Sequence, residues 1–572
     1  MDRSQSQPEP SAGVGDRLSK LEDRVLGNIL SFLPAKEAAR GALLSSRWRH
    51  VFAAVHTVSL EEPESPIRDD KGRGCDSPSW ADPNAPPPFT RAVSAAIIAR
   101  QRRRDAAPLR ALRVAMEDYR GGDSSTVDQW VSYAVQQAAP EGLDLDLRLC
   151  HRRLLCQRPY ELRHGNNQQF ETPAPIFKRA PLNVADIPPA QRRRSTADVR
   201  SDLSDSDDSS AFSTDDERDF HHRRLPWWQR VQPEFSIPRF LFSCAELRSL
   251  SLGSCRLAPP ATASLPSLVT LLLSHVPDPG ADVERLIAGC PRLADLTLEA
   301  CDAVTALTVV GGARLRRLAL RCCHKLATVA IDSSELQAFE YRGAVPDSSS
   351  FLTMHGGSGR VAYCKVDICG AEATSEEELT NLRQLLQLFV NAKHLHLESA
   401  RLGSAGFGKD VPTRSASFST LRHLEVRGCL PDDDDTGVID AMRRILEHAP
   451  NLEALSLAFH HHEHDRDCHP ETSGFREEEL LDTHHLGYNP HSVLAAPSAM
   501  IPCLRSRLRE INLVHYQEGR AQRALAKFLL CNAPAVDRLW CEFAEGPMWT
   551  QIQLMREIKG WLINKSASTH FA

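Results

Sequence analysis

Three things are missing from these 572 residues, and each excludes a class of protein. No run of about 18 apolar residues occurs, so no membrane-spanning helix and no membrane partner are expected. Residues 1–16 are polar, with proline and serine, and lack the apolar centre of a secretory signal. A disulfide scaffold is missing: the 16 cysteines, none spaced C-x-x-C, are too few for one. A reducing compartment, cytoplasmic or nuclear, is therefore expected. The net charge of −6 is small for this length and argues against a chain that grips nucleic acid through overall basicity.

Recognisable catalytic arrangements are missing too. Gly403 to Lys409 has the glycine and lysine spacing of a phosphate-binding loop, but Asp410 stands where a hydroxyl should hold magnesium. Pro412 then follows where a helix must begin. His460, His461, His462, His464 and His469 are rich in metal-ligating chemistry but lack H-E-x-x-H spacing, so a solvated loop is expected. No G-x-S-x-G occurs. The sequence gives no ground for an enzyme, a cofactor or a metal centre.

What the chain does contain is a repeat. Leu247-Arg-Ser-Leu250-Ser-Leu252-Gly-Ser-Cys255-Arg-Leu257 reads L-x-x-L-x-L-x-x-C-x-L, a leucine-rich repeat. Leu250 and Leu252 alternate onto one face of a short strand. Further units start at Leu268, Leu293 and Leu315, in steps of 21, 25 and 22 residues. Cys255, Cys301, Cys323 and Cys429 recur at one slot, where a thiol acts as a small buried hydrophobe. One unit cannot bury its own apolar side, so the units must stack. Shorter steps at Leu326 and Leu336 leave no space for helices, and loops are expected on the convex side there. Units return at Leu395, Leu421 and Leu452. The helical patterns Ile439–His448 and Ala524–Cys531 are each closed by a following proline.

Residues 16–60 differ in kind. Leu18, Leu21, Val25, Leu26, Ile29, Leu30, Phe32 and Leu33 spread over an arc of roughly 180°, wider than an ordinary surface helix requires. Pro34 ends that helix; one over Lys36–Leu44 follows, then a third carrying Trp48, Val51, Phe52 and Val55, with Ser45 or Ser46 as cap. Three helices this short cannot hide so much apolar surface among themselves. The surplus either packs on the first repeat or docks a partner protein.

Leu21 to Pro34 together with Leu44-Ser-Ser-Arg47-Trp48-Arg49 resembles an F-box, in the form found in plant F-box/leucine-rich-repeat proteins, departing at Glu22 where the family usually has proline. The resemblance implies binding to a Skp-family adaptor and, through it, to a cullin ubiquitin ligase. By that analogy the adaptor-facing residues are Leu21, Val25, Ile29, Leu30, Leu33, Pro34, Leu43, Leu44 and Trp48. From about Leu504 to the end, the chain, with Leu508-Arg-Glu-Ile511-Asn-Leu513, Asn532-Ala-Pro534 and Trp540-Cys-Glu-Phe543, resembles the FBD region often paired with F-boxes in plants, here read as an end cap.

The expected fold is α/β: a leucine-rich-repeat solenoid with a curved parallel sheet and helices and loops on its convex side, preceded by a small three-helix F-box. The segments are a disordered 1–15, F-box 16–60, Pro-rich linker 61–90 and irregular first repeats 91–185. A disordered acidic, serine-rich insert over 186–234, repeats over 235–503 and the cap over 504–572 complete the chain. Within the insert, Ser204, Ser206, Ser213 and Thr214 precede acidic residues, a context that acid-directed kinases favour, beside a reading as a solvated spacer. Arg102–Arg104 and Arg192–Arg194 are short basic runs on a solvated surface or import signals. The expected function is substrate recruitment to a ubiquitin ligase, with an unnamed target held near Ser251, Thr297, Ala319 and Glu425; the alternative is a scaffold without a ligase.

Overall fold

The computed structural model describes residues 20–43, 48–62, 89–101, 106–116, 119, 123–149, 160–161, 235–309, 314–332, 334–357, 360–402, 417–430, 435–459, 500–517, 519–544, 546 and 548–572. The proline-rich stretch 63–88, the acidic insert, both basic runs, Gly403–Asp410 and the histidine cluster lie outside the described residues.

Fifteen strands form one parallel sheet in chain order. They are β1 (Thr57–Glu61), β2 (Ala111–Ala115), β3 (Leu143–Arg148), β4 (Leu247–Gly253) and β5 (Thr270–Ser274). Next come β6 (Asp295–Glu299), β7 (Arg317–Arg321), β8 (Ala338–Gly343), β9 (Tyr363–Ile368) and β10 (His394–Arg401). The last are β11 (His423–Cys429), β12 (Ala454–Phe459), β13 (Glu510–Tyr516), β14 (Arg538–Phe543) and β15 (Ser568–Phe571). The leucines set the register. Leu250 lies beside Leu271, Leu296 and Leu318 on successive rungs, and Leu252 beside Leu273, Leu298 and Leu320. All eight are buried, and each contributes about 1.5–3 kcal/mol by leaving water. The alternate positions form the open face.

After β4 to β7 the chain leaves the sheet through a left-handed residue, Ser254, His275, Ala300 and Cys322, with φ of 54°, 53°, 48° and 54°. None is glycine, and each conformation costs roughly 1–2 kcal/mol. In exchange the Ser254 N–H donates to the Ser274 carbonyl at 2.9 Å and the His275 N–H to that of Glu299 at 2.8 Å, stitching each turn to the next. The cysteine slot works alongside: Cys301 Sγ donates to the Leu273 carbonyl at 3.5 Å and Cys323 Sγ to that of Leu298 at 3.6 Å. Asp278 adds a buried link, its carboxylate accepting the Leu257 and Ala258 N–H groups at 2.8 and 3.0 Å.

The units at Leu326 and Leu336 require a correction. The rung after β7 is β8, and Thr328–Asp332 lies outside the main sheet. It is the centre of a separate parallel sheet between Ala306–Val309 and Leu352–His355, with Leu307 beside Val329 and Val329 beside Leu352. The short steps are thus the front and back of single turns. Where loop was expected, successive turns pair extended backbone and satisfy its polar groups.

Among the described residues, helices cover much of the remaining return path. They include α6 (Gly280–Ala288), α7 (Glu376–Gln387), α8 (Asp435–His448), α10 (Arg520–Asn532) and α11 (Met548–Trp561), with the short α9 (Pro502–Ser506) before β13. Ser375 starts α7 with a reciprocal cap: its hydroxyl accepts the Glu378 N–H at 3.1 Å, and the Glu378 carboxylate accepts the Ser375 N–H at 3.2 Å. From Glu510 onward the chain adds β13, β14 and β15 as further rungs in register.

The N-terminal helices are α1 (Asp23–Leu30), α2 (Ala35–Arg40) and α3 (Trp48–Val51), with 3-10 turns at Gly41–Leu43 and Phe52–Ala54. The α1 helix is shorter than its apolar pattern suggested. It stops at Leu30, and Pro34 instead opens α2, its carbonyl accepting the Glu37 and Ala38 N–H groups. Ser45 and Ser46 lie outside the described residues. Leu26, Leu30, Trp48, Val51 and Phe52 join the same apolar core that runs through the rungs. Helices α4 (Phe89–Gln101) and α5 (Ser124–Gln136) complete this end. The buried Arg100 guanidinium binds the Val55 carbonyl at 2.8 Å, the Tyr133 hydroxyl at 2.5 Å and the Ala107 carbonyl. Burial lowers its pKa, and the Tyr133 hydroxyl partly offsets that.

Candidate functional site

Two surfaces stand out, one on the N-terminal helices and one on the open face of the sheet. On α1, helical spacing sorts the side chains. Leu26 and Leu30 face the core, while Val25 and Ile29, four residues apart, face outward at 41% and 42% exposed. The turn beyond adds Phe32 at 88% and Leu33 at 39%, and the 3-10 turn adds Leu43 at 86%. Pro34 is exposed and Leu21 half-buried.

The residues taken as adaptor-facing therefore divide. Val25, Ile29, Leu33, Pro34 and Leu43 lie on the surface, whereas Leu30 and Trp48 are drawn into the core. Leu44 lies outside the described residues. The two inward residues are held by tight packing. A Cβ on Gly27 would run into the Ala54 carbonyl, so α1 lies directly on the Phe52–Ala54 turn and its buried side is committed there. Phe32 was missing from the sequence-based set; its outward direction follows from α1 ending two residues before it.

The open face carries charge rather than grease at its centre. Arg321 reaches Glu299 at 2.7 Å and Glu340 at 2.9 Å, and Arg317 reaches Glu340 at 3.2 Å. Arg342 pairs with Asp367 at 3.3 Å. On β10, His396 lies between Glu425 at 3.2 Å and Glu398 at 3.5 Å, and Arg427 holds Glu425 at 2.7 Å. Burial opposes a charged His396 ring, but the Glu398 and Glu425 carboxylates outweigh it and raise its pKa. The Glu425 carboxyl, bonded to His396 and Arg427, is held down at about 2. Beside them the His394 and His423 rings stack at 4.4 Å with 5° between their planes. Burial, then the neighbouring His423, lowers the pKa of His394.

Of the positions expected to meet a target, Ser251, Thr297 and Glu425 are partly accessible. Ala319 is not: it is fully buried between Thr297 and Glu340 in the register, where longer neighbours overtop a single methyl group. Among the described residues, no group of three or more His, Cys, Asp or Glu side chains is placed to hold a metal. None of the described helices is long and apolar enough to cross a membrane.

Comparison with known proteins places these surfaces in a family context. The family model "At1g61320/AtMIF1, LRR domain" matches residues 228–486. The probable FBD-associated F-box protein At1g32375 of Arabidopsis thaliana is 21% identical over 337 residues, covering 56% of this chain and 68% of the relative. The FBD-associated F-box protein At5g56380, from the same plant, is 24% identical over 335 residues with the same coverage of each chain. A shorter, stronger match, 45% identical over 51 residues, joins 9% of this chain to 13% of the Arabidopsis thaliana F-box/LRR-repeat protein At4g14103.

Proposed function

The chain is a plant F-box/leucine-rich-repeat protein, and from that premise we propose that it is the substrate-recognition subunit of a Skp–cullin–F-box ubiquitin ligase. The adaptor docks on the N-terminal helices, and the open face of the sheet holds the protein to be modified. The observation that carries this reading is the outward apolar set Val25, Ile29, Phe32, Leu33 and Leu43 on helices whose other side is already buried. Such exposed clusters mark interaction surfaces, and a few large apolar anchors supply most of an interface's binding energy.

Chemistry belongs elsewhere in the assembly. The chain supplies proximity, bringing a lysine-bearing target near a charged ubiquitin-conjugating enzyme. It acts in the cytoplasm or nucleus, a reading supported by a sequence with too few cysteines for a disulfide scaffold.

The test is co-purification of a Skp-family adaptor and a cullin with the full chain, alongside the double variant Val25→Asp/Ile29→Asp. Both positions are exposed, so the fold is expected to survive while adaptor recovery falls at least tenfold. Undiminished recovery by the variant would rule out this docking surface. Failure of the wild-type chain to retain any adaptor would leave a repeat scaffold without a ligase.

A further inference from the structure

The open face is not level. Along β12 it carries Ala454, Ser456 and Ala458, small side chains between the taller rows of β11 (His423, Glu425, Arg427) and β14 (Arg538, Trp540). Between β11 and β14 lie three strand spacings, roughly 14 Å, wide enough for an extended peptide running along the strands. Toward the C-terminal rungs this trough deepens into a hollow of about 640 Å³, bordered by Ser456, Asn512, Val514, Arg538, Trp540 and His570. That volume falls within the range of about 300–1,000 Å³ typical of binding pockets.

Its walls differ in chemistry. Trp540 is 39% exposed, a large aromatic ring in a row otherwise made of serine, asparagine and histidine. Its indole meets the His570 ring at 4.2 Å and 72°, an edge-on contact that fixes its orientation. In the adjacent row Arg538 lies 2.9 Å from Glu510, with side chains 69% and 27% exposed respectively. Glu510 also lines the hollow, and the Asp537 carboxylate, 54% exposed, lies 3.9 Å from the Arg538 Nε, but the guanidinium is the most exposed of the three groups and the one a ligand meets first. Asn512 donates to the Glu510 carboxylate at 3.0 Å, giving it a second partner within the hollow.

We propose that this hollow anchors the target through an extended segment bearing a bulky aromatic or aliphatic side chain beside a carboxylate. The apolar group packs on Trp540, and the carboxylate pairs with the Arg538 guanidinium, whose planar fork suits it. The inference rests on the open face being the target-holding surface. It does not depend on the adaptor.

The experiment is calorimetric titration of the full chain with three capped tetrapeptides, Ac-Ala-Phe-Asp-Ala-NH2, Ac-Ala-Ala-Asp-Ala-NH2 and Ac-Ala-Phe-Lys-Ala-NH2. The Phe-Asp peptide is expected to bind at least tenfold more tightly than either other peptide. Trp540→Ala is expected to remove that preference for the aromatic side chain. Arg538→Glu, at an exposed position whose folding is checked by thermal melting, is expected to reverse the preference toward the Phe-Lys peptide. Val25→Asp/Ile29→Asp is expected to bind the Phe-Asp peptide like the wild type, which separates this proposal from the adaptor reading. Equal binding of all three peptides, no detectable binding of the Phe-Asp peptide, or indifference to both substitutions at Trp540 and Arg538 would overturn the proposal.

Discussion

His396 shows how much a single side chain can depend on register. It sits on the open face of the sheet, yet it is nearly covered and flanked by Glu398, Glu425 and Lys365. Its pKa in the folded chain is above the ordinary 6.5, so folding favours the protonated ring. That contribution is complete below pH 6.5 and is lost as pH rises through the folded value. Glu425 works in the opposite sense, stabilising above its ordinary 4.5 and losing that effect as pH falls toward about 2. His396→Gln is therefore expected to flatten the decline of Tm as pH rises above 6.5. An unchanged slope in melting curves would show that His396 is not the responsible group. The charge network was illegible in the sequence, because Glu340 meets Arg321, and His396 meets Glu425, only once rungs some 20–30 residues apart are aligned. The cysteine slot was legible, since Cys255, Cys301, Cys323 and Cys429 recur at one offset from the leucines.

At the scale of elements, spacing carried the reading where a turn had one apolar strand and misled where it had two. Leu326–Ile331 matches the strand pattern as well as any rung does, and only its pairing with Ala306–Val309 and Leu352–His355 reveals it as the back of a turn. β9 and β15 carry no leucine pattern, because Cys364, Val366, Thr569 and Phe571 replace the expected leucines at the inward positions. β1 was hidden inside the segment read as helical; Val58 and Leu60 are nonetheless its buried pair, aligned with Leu112 and Val114 of β2. The N-terminal helix shows a further limit: the apolar pattern marked α1 as two-sided but could not say which side the core would claim. Gly27 decides it, because only a residue without Cβ lets α1 rest on the Ala54 backbone. Gly27→Val is expected to destabilise the N-terminal end by about 3 kcal/mol or more, through overpacking against backbone that cannot yield. Denaturant melts reporting a loss under 1 kcal/mol would mean that α1 is not seated as described.

For the molecule as a whole, the informative feature is continuity. The apolar core that begins at Leu26 extends through the rungs to Leu562 near the C-terminus, so the N-terminal helices are seated on the sheet by their inner side. Burying Leu26, Leu30 and Trp48 fixes the helices, and what remains outside, from Val25 to Leu43, is held at a defined place relative to β1 and β2. The proposed recruitment depends on that placement, because geometry would govern whether a bound target lies within reach of the modifying enzyme. The measurement that bears most directly on this is hydrogen exchange of the full chain with and without a purified Skp-family adaptor. Protection is expected in peptides spanning residues 25–43, with β12 to β15 unchanged. Protection on the open face instead, or none anywhere at saturating adaptor, would contradict the docking of the adaptor on Val25, Ile29, Phe32, Leu33 and Leu43.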